Sequence, residues 1–275
     1  MLLSLTDGSV RGSGLVGSDP VAVIVSDDGA TAYVADSSPG DVYAVKLPDI
    51  TVVWKQHVGG APFGLLLHRG HLFVSLFSGA AVVELDPGSG AKLASHPVPQ
   101  SPAVLAVAPD GRVIVAGTRG AVDYLDGTST PAGHGFGLAV VDGQVWTADY
   151  ERAELVRTGD GLRVGLPLPV FPFWLAPGGP NTLLIAAEGA PEDSAPGGVF
   201  SYAPARGTFK NLARPRDPDQ ALRVGSKVLV AAHGDREVLA IDGGRIEHWA
   251  PGAAAVAIAS DPALNLLVVV VNVVE

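Results

Sequence analysis

The side chains able to do chemistry in this 275-residue chain are few and scattered. His233, in AAHGDRE, carries an imidazole whose ordinary pKa lies close to neutrality, which suits a general base. A loop histidine hydrogen-bonded to a neighbour is the reading its surroundings favour. His68 and His71 flank a short HRGH turn, and two imidazoles without a carboxylate or a third ligand do not complete a metal site. Asp19, Asp36, Asp149, Glu188 and Asp219 are the acids placed to offer oxygen to a hard cation. Phe63, Phe136, Phe173 and Trp174, with His134 and Gln220, form a different kind of set: aromatic faces beside single polar groups suit recognition of a small organic molecule or a peptide segment. No motif for a cofactor can be traced, so none is expected.

These residues acquire positions from a repeat. The phrases TAYVAD, GHLFVSL, GRVIVAG, GQVWTAD, NTLLIAA, SKVLVAA and NLLVVVV each place a short apolar strand behind a Gly, Asp or Pro turn. Anchored on Tyr33, Phe73, Ile114, Trp146, Leu184, Leu229 and Leu267, they recur every 32 to 45 residues. A period near forty made only of short strands marks a β-propeller, whose blades bury their faces against one another. The spacing predicts an all-β, seven-bladed ring forming a single domain over residues 1–275.

Each unit reads as four strands, a to d from the channel outwards, joined by turns such as Pro109-Asp110-Gly111 and Asp242-Gly243-Gly244. Gly and Asp tolerate the left-handed backbone that tight hairpins need. Proline stands at the start of strand a at Pro20, Pro62, Pro102, Pro172 and Pro218, where no ladder hydrogen bond is required of it. The circular register predicts a last blade shared by both chain ends. The C-terminal segment supplies strands a and b, residues Leu2–Leu5 supply c, and Val10–Leu15 supply d; Glu275 aligns with Asp41 of the first unit. Closure of this kind removes an open sheet edge. Glu188–Gly198 reads as an excursion between strands b and c of the fifth unit, and the third unit is short enough that its outer strand, near Thr128–Ala132, is expected to be abbreviated or missing.

Composition excludes several functions. A net charge of −10 repels nucleic-acid backbones. The longest apolar run, Leu266–Val271, cannot span a bilayer. Cysteine is absent, so neither disulfides nor thiolate-bound metals can form. Met1-Leu2-Leu3-Ser4 lacks the basic and apolar regions of a signal peptide, which predicts a cytoplasmic protein; a monomer is expected.

The repeat resembles the YVTN-type propeller family. DPVAVIVSDDGATAYVADSSPGDVYAVKLPD (19–49) follows that family's phrase of proline, apolar strand, Asp-Gly turn and a "YVAN"-like strand, and SPAVLAVAPDGRVIVAGTRGAVDYLDG and GSKVLVAAHGDREVLAIDGG are close to it. The resemblance implies the fold and says little of an activity. Propellers of the gluconolactonase type hold a divalent cation at the channel with Glu, Asn and Asp. Here Val21, Phe63, Ala103, Phe136 and Phe173 stand at the strand-a starts, and Asn272 is the only asparagine near the channel.

On a ring of this kind the strand-a starts and the b–c loops converge on one face. The expected ligand-binding residues there are Phe63, His134, Phe136, Asp149, Trp174, Gln220 and His233. The function expected is non-enzymatic binding of a small molecule or a protein partner at the channel face, with no metal. The alternatives are a cation-dependent lactonase or hydrolase using the acids of the same face, and a structural docking module.

Overall fold

The computed structural model describes residues 1–189 and 195–272, the last of these by its backbone alone. Its strands assemble into seven four-stranded antiparallel sheets, and no helix occurs among the described residues. The protein is an all-β, seven-bladed propeller. In the first blade, Pro20–Val25, Thr31–Asp36, Asp41–Lys46 and Thr51–His57 pair in chain order from the channel outwards. The next five blades repeat this order. The seventh joins Ala254–Asp261 and Leu266–Asn272 to the N-terminal strands Leu2–Ser4 and Val10–Gly12.

The closing register is Leu2↔Val268, Leu3↔Leu267 and Ser4↔Leu266. Met1 is drawn in as well: its amino group donates to the Val269 carbonyl, and its carbonyl accepts from the Val269 N–H. The outermost strand stops at Gly12 rather than Leu15, and Leu15 is 93% exposed. Glu275 lies outside the described residues, as does 190–194 within the expected Glu188–Gly198 excursion. The outer strand of the third blade is present and short, Ser129–Pro131, paired to Ala121–Asp123.

Because each sheet is apolar on both faces, the core is divided among the blade junctions. Seven clusters of buried residues fill the seven junctions. Trp146 packs with Leu175, Leu183 and Tyr202 between the fourth and fifth blades, and Trp249 with Leu3 and Val269 between the sixth and seventh. The second strand of each of the first six blades carries a small residue at one slot, Ala35, Ser75, Ala116, Ala148, Ala186 and Ala231; in the seventh blade the pairing with Ala257 puts Val270 there, and Val269, which the count from Leu267 would place in the slot, faces the sixth blade instead. The six small residues are at most 1% exposed, and Val270 is buried as well. Ring closure crowds this slot, which favours small side chains.

Candidate functional site

Six of the seven inner strands begin with an irregularity that decides what faces the channel; the fourth, Leu138–Val141, pairs without a slip. The pairing slips between Pro20 and Ala22, Pro62 and Leu65, Pro102 and Val104, Pro172 and Trp174, Pro218 and Gln220, and Ala255 and Ala257. A bulge of this kind leaves a residue outside the ladder and re-aims its side chain. The residues so displaced include Val21, Phe63, Phe173, Asp219 and Val256, and all five line the central cavity. Proline at the strand start fits this geometry, because the position donates nothing to the ladder.

The cavity has a volume of about 670 Å³ and is walled by the inner strands of all seven blades. Its walls are aliphatic along most of their length, from Val21–Val25 through Val104–Val107 and Leu138–Val140 to Ile258 and Ala259, and its polar side chains are Asp219 and Gln220. Near the strand starts four rings gather: Phe136 lies 5.5 Å from Phe63, 6.0 Å from Phe77 and 5.2 Å from Phe173, and Phe63 lies 5.8 Å from Phe77. All four are half-buried.

The expected site residues separate into four groups. Phe63, Trp174 and Gln220 line the cavity, and Phe136 stacks on Phe63 at the same end. Gln220 also has a structural task, since its Oε1 accepts from the Ile258 N–H at 2.9 Å and ties the sixth blade to the seventh. Ser75 does the same between the second and third blades: its hydroxyl accepts from the Gly64 N–H at 2.7 Å and donates to the Ala103 carbonyl. His134 lies away from the cavity wall, half-buried over the turn of the third blade, with Nδ1 3.2 Å from the Thr118 carbonyl.

Asp149 is fully buried at the end of its strand, with Oδ2 held by Arg163 at 2.8 Å and Arg152 at 3.2 Å. Burial alone would push this carboxyl up, but the hydrogen bonds from Arg163 and Arg152 outweigh it and hold it below the usual carboxylate range. Tyr150 beside it donates to Glu188 Oε2 at 2.5 Å and stacks on Phe171 at 5.2 Å. Burial, then the hydrogen bond to Glu188, then the fields of Glu188 and Asp217 push the Tyr150 hydroxyl up.

His233 stands next to two carboxylates, with Nδ1 3.3 Å from Asp217 Oδ2 and 3.7 Å from Asp219 Oδ2. Asp217 was not among the acids singled out from the sequence. The signal was present: in Asp217-Pro218-Asp219 the proline opens the inner strand and pairs with Ala232, which sets His233 opposite Asp217. The expectation that His68 and His71 lack a carboxylate also needs revision. Glu84 lies between His71 and His96, in contact with His71 Nδ1 and 3.2 Å from His96 Nε2, while His68 turns to the Gly111 carbonyl.

No protein-family model matches this chain, and no curated protein matches it. Solved structures do. Hydrazine synthase from Kuenenia stuttgartiensis is 13% identical with a TM-score of 0.74, covering 97% of this chain and 100% of that one. BamB from Moraxella catarrhalis is 16% identical with a TM-score of 0.60, covering 93% and 81%. The dihydro-heme d1 dehydrogenase NirN is 14% identical with a TM-score of 0.60, covering 86% and 57%. At these identities the likeness is one of fold, and the activities named differ from one structure to the next.

Proposed function

We propose that this propeller is a non-catalytic binding protein that takes a small, largely apolar molecule into its central channel. The observation that carries the reading is the cavity itself. About 670 Å³ lined by aliphatic side chains, with Trp174, Phe63 and Phe173 towards one end and Asp219 and Gln220 as the polar groups, has the size and chemistry of a small-molecule pocket. A wall built from seven rigid strands is organised before the ligand arrives, which limits the ordering cost of binding. Trp174, Phe63 and Phe136 would supply apolar contact, since a few aromatic anchors usually carry most of a binding energy. Asp149, bound by two arginines, is a poor candidate for acid–base work, and this favours binding over hydrolysis. The repeat phrases support placing the chain with the YVTN-type propellers.

The test uses an uncharged naphthylamine dye whose emission rises in apolar surroundings. Saturable binding to the protein is expected, with Trp174 close enough to transfer excitation to the dye. Ala106 lines the cavity and is half-buried, so Ala106→Phe fills the channel without emptying a blade junction. This variant should melt near the parent temperature and lose the dye. Dye binding that survives both Ala106→Phe and Trp174→Ala would place it elsewhere and sink the reading.

A further inference from the structure

We propose that Asp217, Asp219 and His233 form a binding site for a divalent transition-metal ion, with Zn²⁺ the best match, at the rim of the channel. One ligand atom from each residue can be chosen so that all lie within 4.8 Å of one another. The finer distances are more telling. Zinc bonds to imidazole nitrogen and carboxylate oxygen are about 2.0–2.2 Å long, so the edges of a tetrahedron of such ligands are roughly 3.3–3.6 Å. The His233 Nδ1 distances to Asp217 Oδ2 and Asp219 Oδ2, 3.3 and 3.7 Å, fall on or beside that span.

The donor set selects the ion. One imidazole with two carboxylates suits zinc and its neighbours, whereas calcium takes six to eight oxygens at longer range and magnesium prefers oxygen and water. Two carboxylates balance the double charge. Glu188 and Asp217 both raise the Tyr150 hydroxyl through their fields, so negative charge is shared across this side of the rim, which favours a cation.

The scaffold suits a fixed site. Asp217 and Asp219 flank the first residue of strand Pro218–Val224, and His233 follows its partner strand Lys227–Ala232. The His233 N–H donates to the Asp217 carbonyl at 3.0 Å, which locks the two backbones together. All three side chains are partly open, between 15% and 38% exposed, so an ion can enter. Asp219 also lines the central cavity. Three protein ligands leave a tetrahedral ion one open position, as in sites where the fourth ligand is water or a small molecule. The metal site stands independently of what fills the channel.

The experiment is equilibrium dialysis of chelator-treated protein against ZnCl₂, MnCl₂, CaCl₂ and MgCl₂, with the bound metal counted by elemental analysis and melting followed in parallel. About one equivalent of Zn²⁺ and a raised melting temperature are expected, with weaker or no retention of Ca²⁺ and Mg²⁺. Loss of an outer partner alone commonly weakens a metal site about 10–100-fold, so His233→Ala and the near-isosteric Asp219→Asn should each weaken Zn²⁺ binding by at least that factor. His134→Ala, a rim histidine outside the cluster, should keep it. Because Asp219→Asn preserves shape, it keeps the test valid should His233→Ala fail to fold. Ala106→Phe should bind Zn²⁺ like the parent, which separates this result from the fate of the channel ligand. Absence of stoichiometric Zn²⁺, retention of Zn²⁺ in both His233→Ala and Asp219→Asn, or preference for Ca²⁺ would each overturn the proposal.

Discussion

Closure of the ring by its own N-terminus can be tested with one side chain. Leu3 pairs with Leu267 and is fully buried beside Leu229, Ala231, Trp249 and Val269, at the junction of the sixth and seventh blades. Truncation to alanine removes three carbons from that junction and leaves a cavity that rigid strands on both sides cannot collapse. Leucine-to-alanine changes at such sites cost about 2–5 kcal/mol. Each kcal/mol lowers the melting temperature by roughly 2–4 °C for chains of 150–250 residues, so a drop of about 4–20 °C is expected for Leu3→Ala. The matched control is Leu15→Ala, only twelve positions further on in the sequence. Leu15 is 93% exposed, so its loss should move the melt by no more than about 0.5 kcal/mol, the usual range for surface changes. Differential scanning calorimetry on both variants decides the matter. Equal melting of Leu3→Ala and the parent would show that the N-terminal strand is not part of the closed ring in solution.

Other consequences can be measured in the same way. Ala148→Leu should cost on the order of 1–3 kcal/mol by overpacking, because Ala148 is fully buried and a Cβ placed on Gly137 would already approach its methyl to 2.9 Å; chemical denaturation with an unchanged midpoint would show that the slot has room. Gly64→Ala should be worse tolerated than Gly143→Ala in contact terms, since a Cβ at Gly64 would lie 2.1 Å from the Ala103 carbonyl oxygen and one at Gly143 would touch nothing, and comparable expression and melting of the two would contradict that crowding. Asp149→Asn should destabilise by on the order of 1–3 kcal/mol at neutral pH through loss of charged hydrogen bonds from Arg152 and Arg163. The folded Asp149 carboxyl sits below its ordinary value of 3.8, so its contribution is present above about that pH and lost as pH falls through the lower folded value; the parent and the Asn variant should therefore converge in stability below pH ~4, and a gap that stays constant into acid would rule out this account.

The fold was legible because its cause is periodic. A repeat of short strands every forty residues or so cannot bury its faces except against copies of itself, and residues such as Ala35, Ala148 and Ala231 mark the same crowded slot in each copy. The shared last blade followed from extending that register around the chain ends, and the pairing of Leu2–Ser4 with Leu266–Val268 agrees with it. Strand lengths were less legible. Where the closing strand ends, at Gly12, depends on how the following segment crosses towards the first blade, and neither propensity nor pattern encodes that path. The seventh copy puts a larger side chain, Val270, in that slot and keeps it buried, one position beyond where the count from Leu267 places it.

The channel face was legible in its loops and illegible in its facing directions, and the bulges explain why. A period-two strand model treats Phe63, Trp174 and Gln220 as equivalent inner residues, but the slip after each opening proline makes Phe173 and Asp219 the counterparts of Phe63, with Trp174 and Gln220 one step beyond. One extra residue in a strand exchanges its faces, so an error of a single position moves a side chain from the channel to the neighbouring blade. The same slip governs the acids. It turns Asp219 into the cavity wall while Asp217, ahead of the proline, stays at the rim opposite His233, so a motif as plain as Asp-Pro-Asp brings two carboxylates to one imidazole. Chemistry on this ring therefore depends less on which residues occupy the loops than on where each inner strand breaks its own alternation.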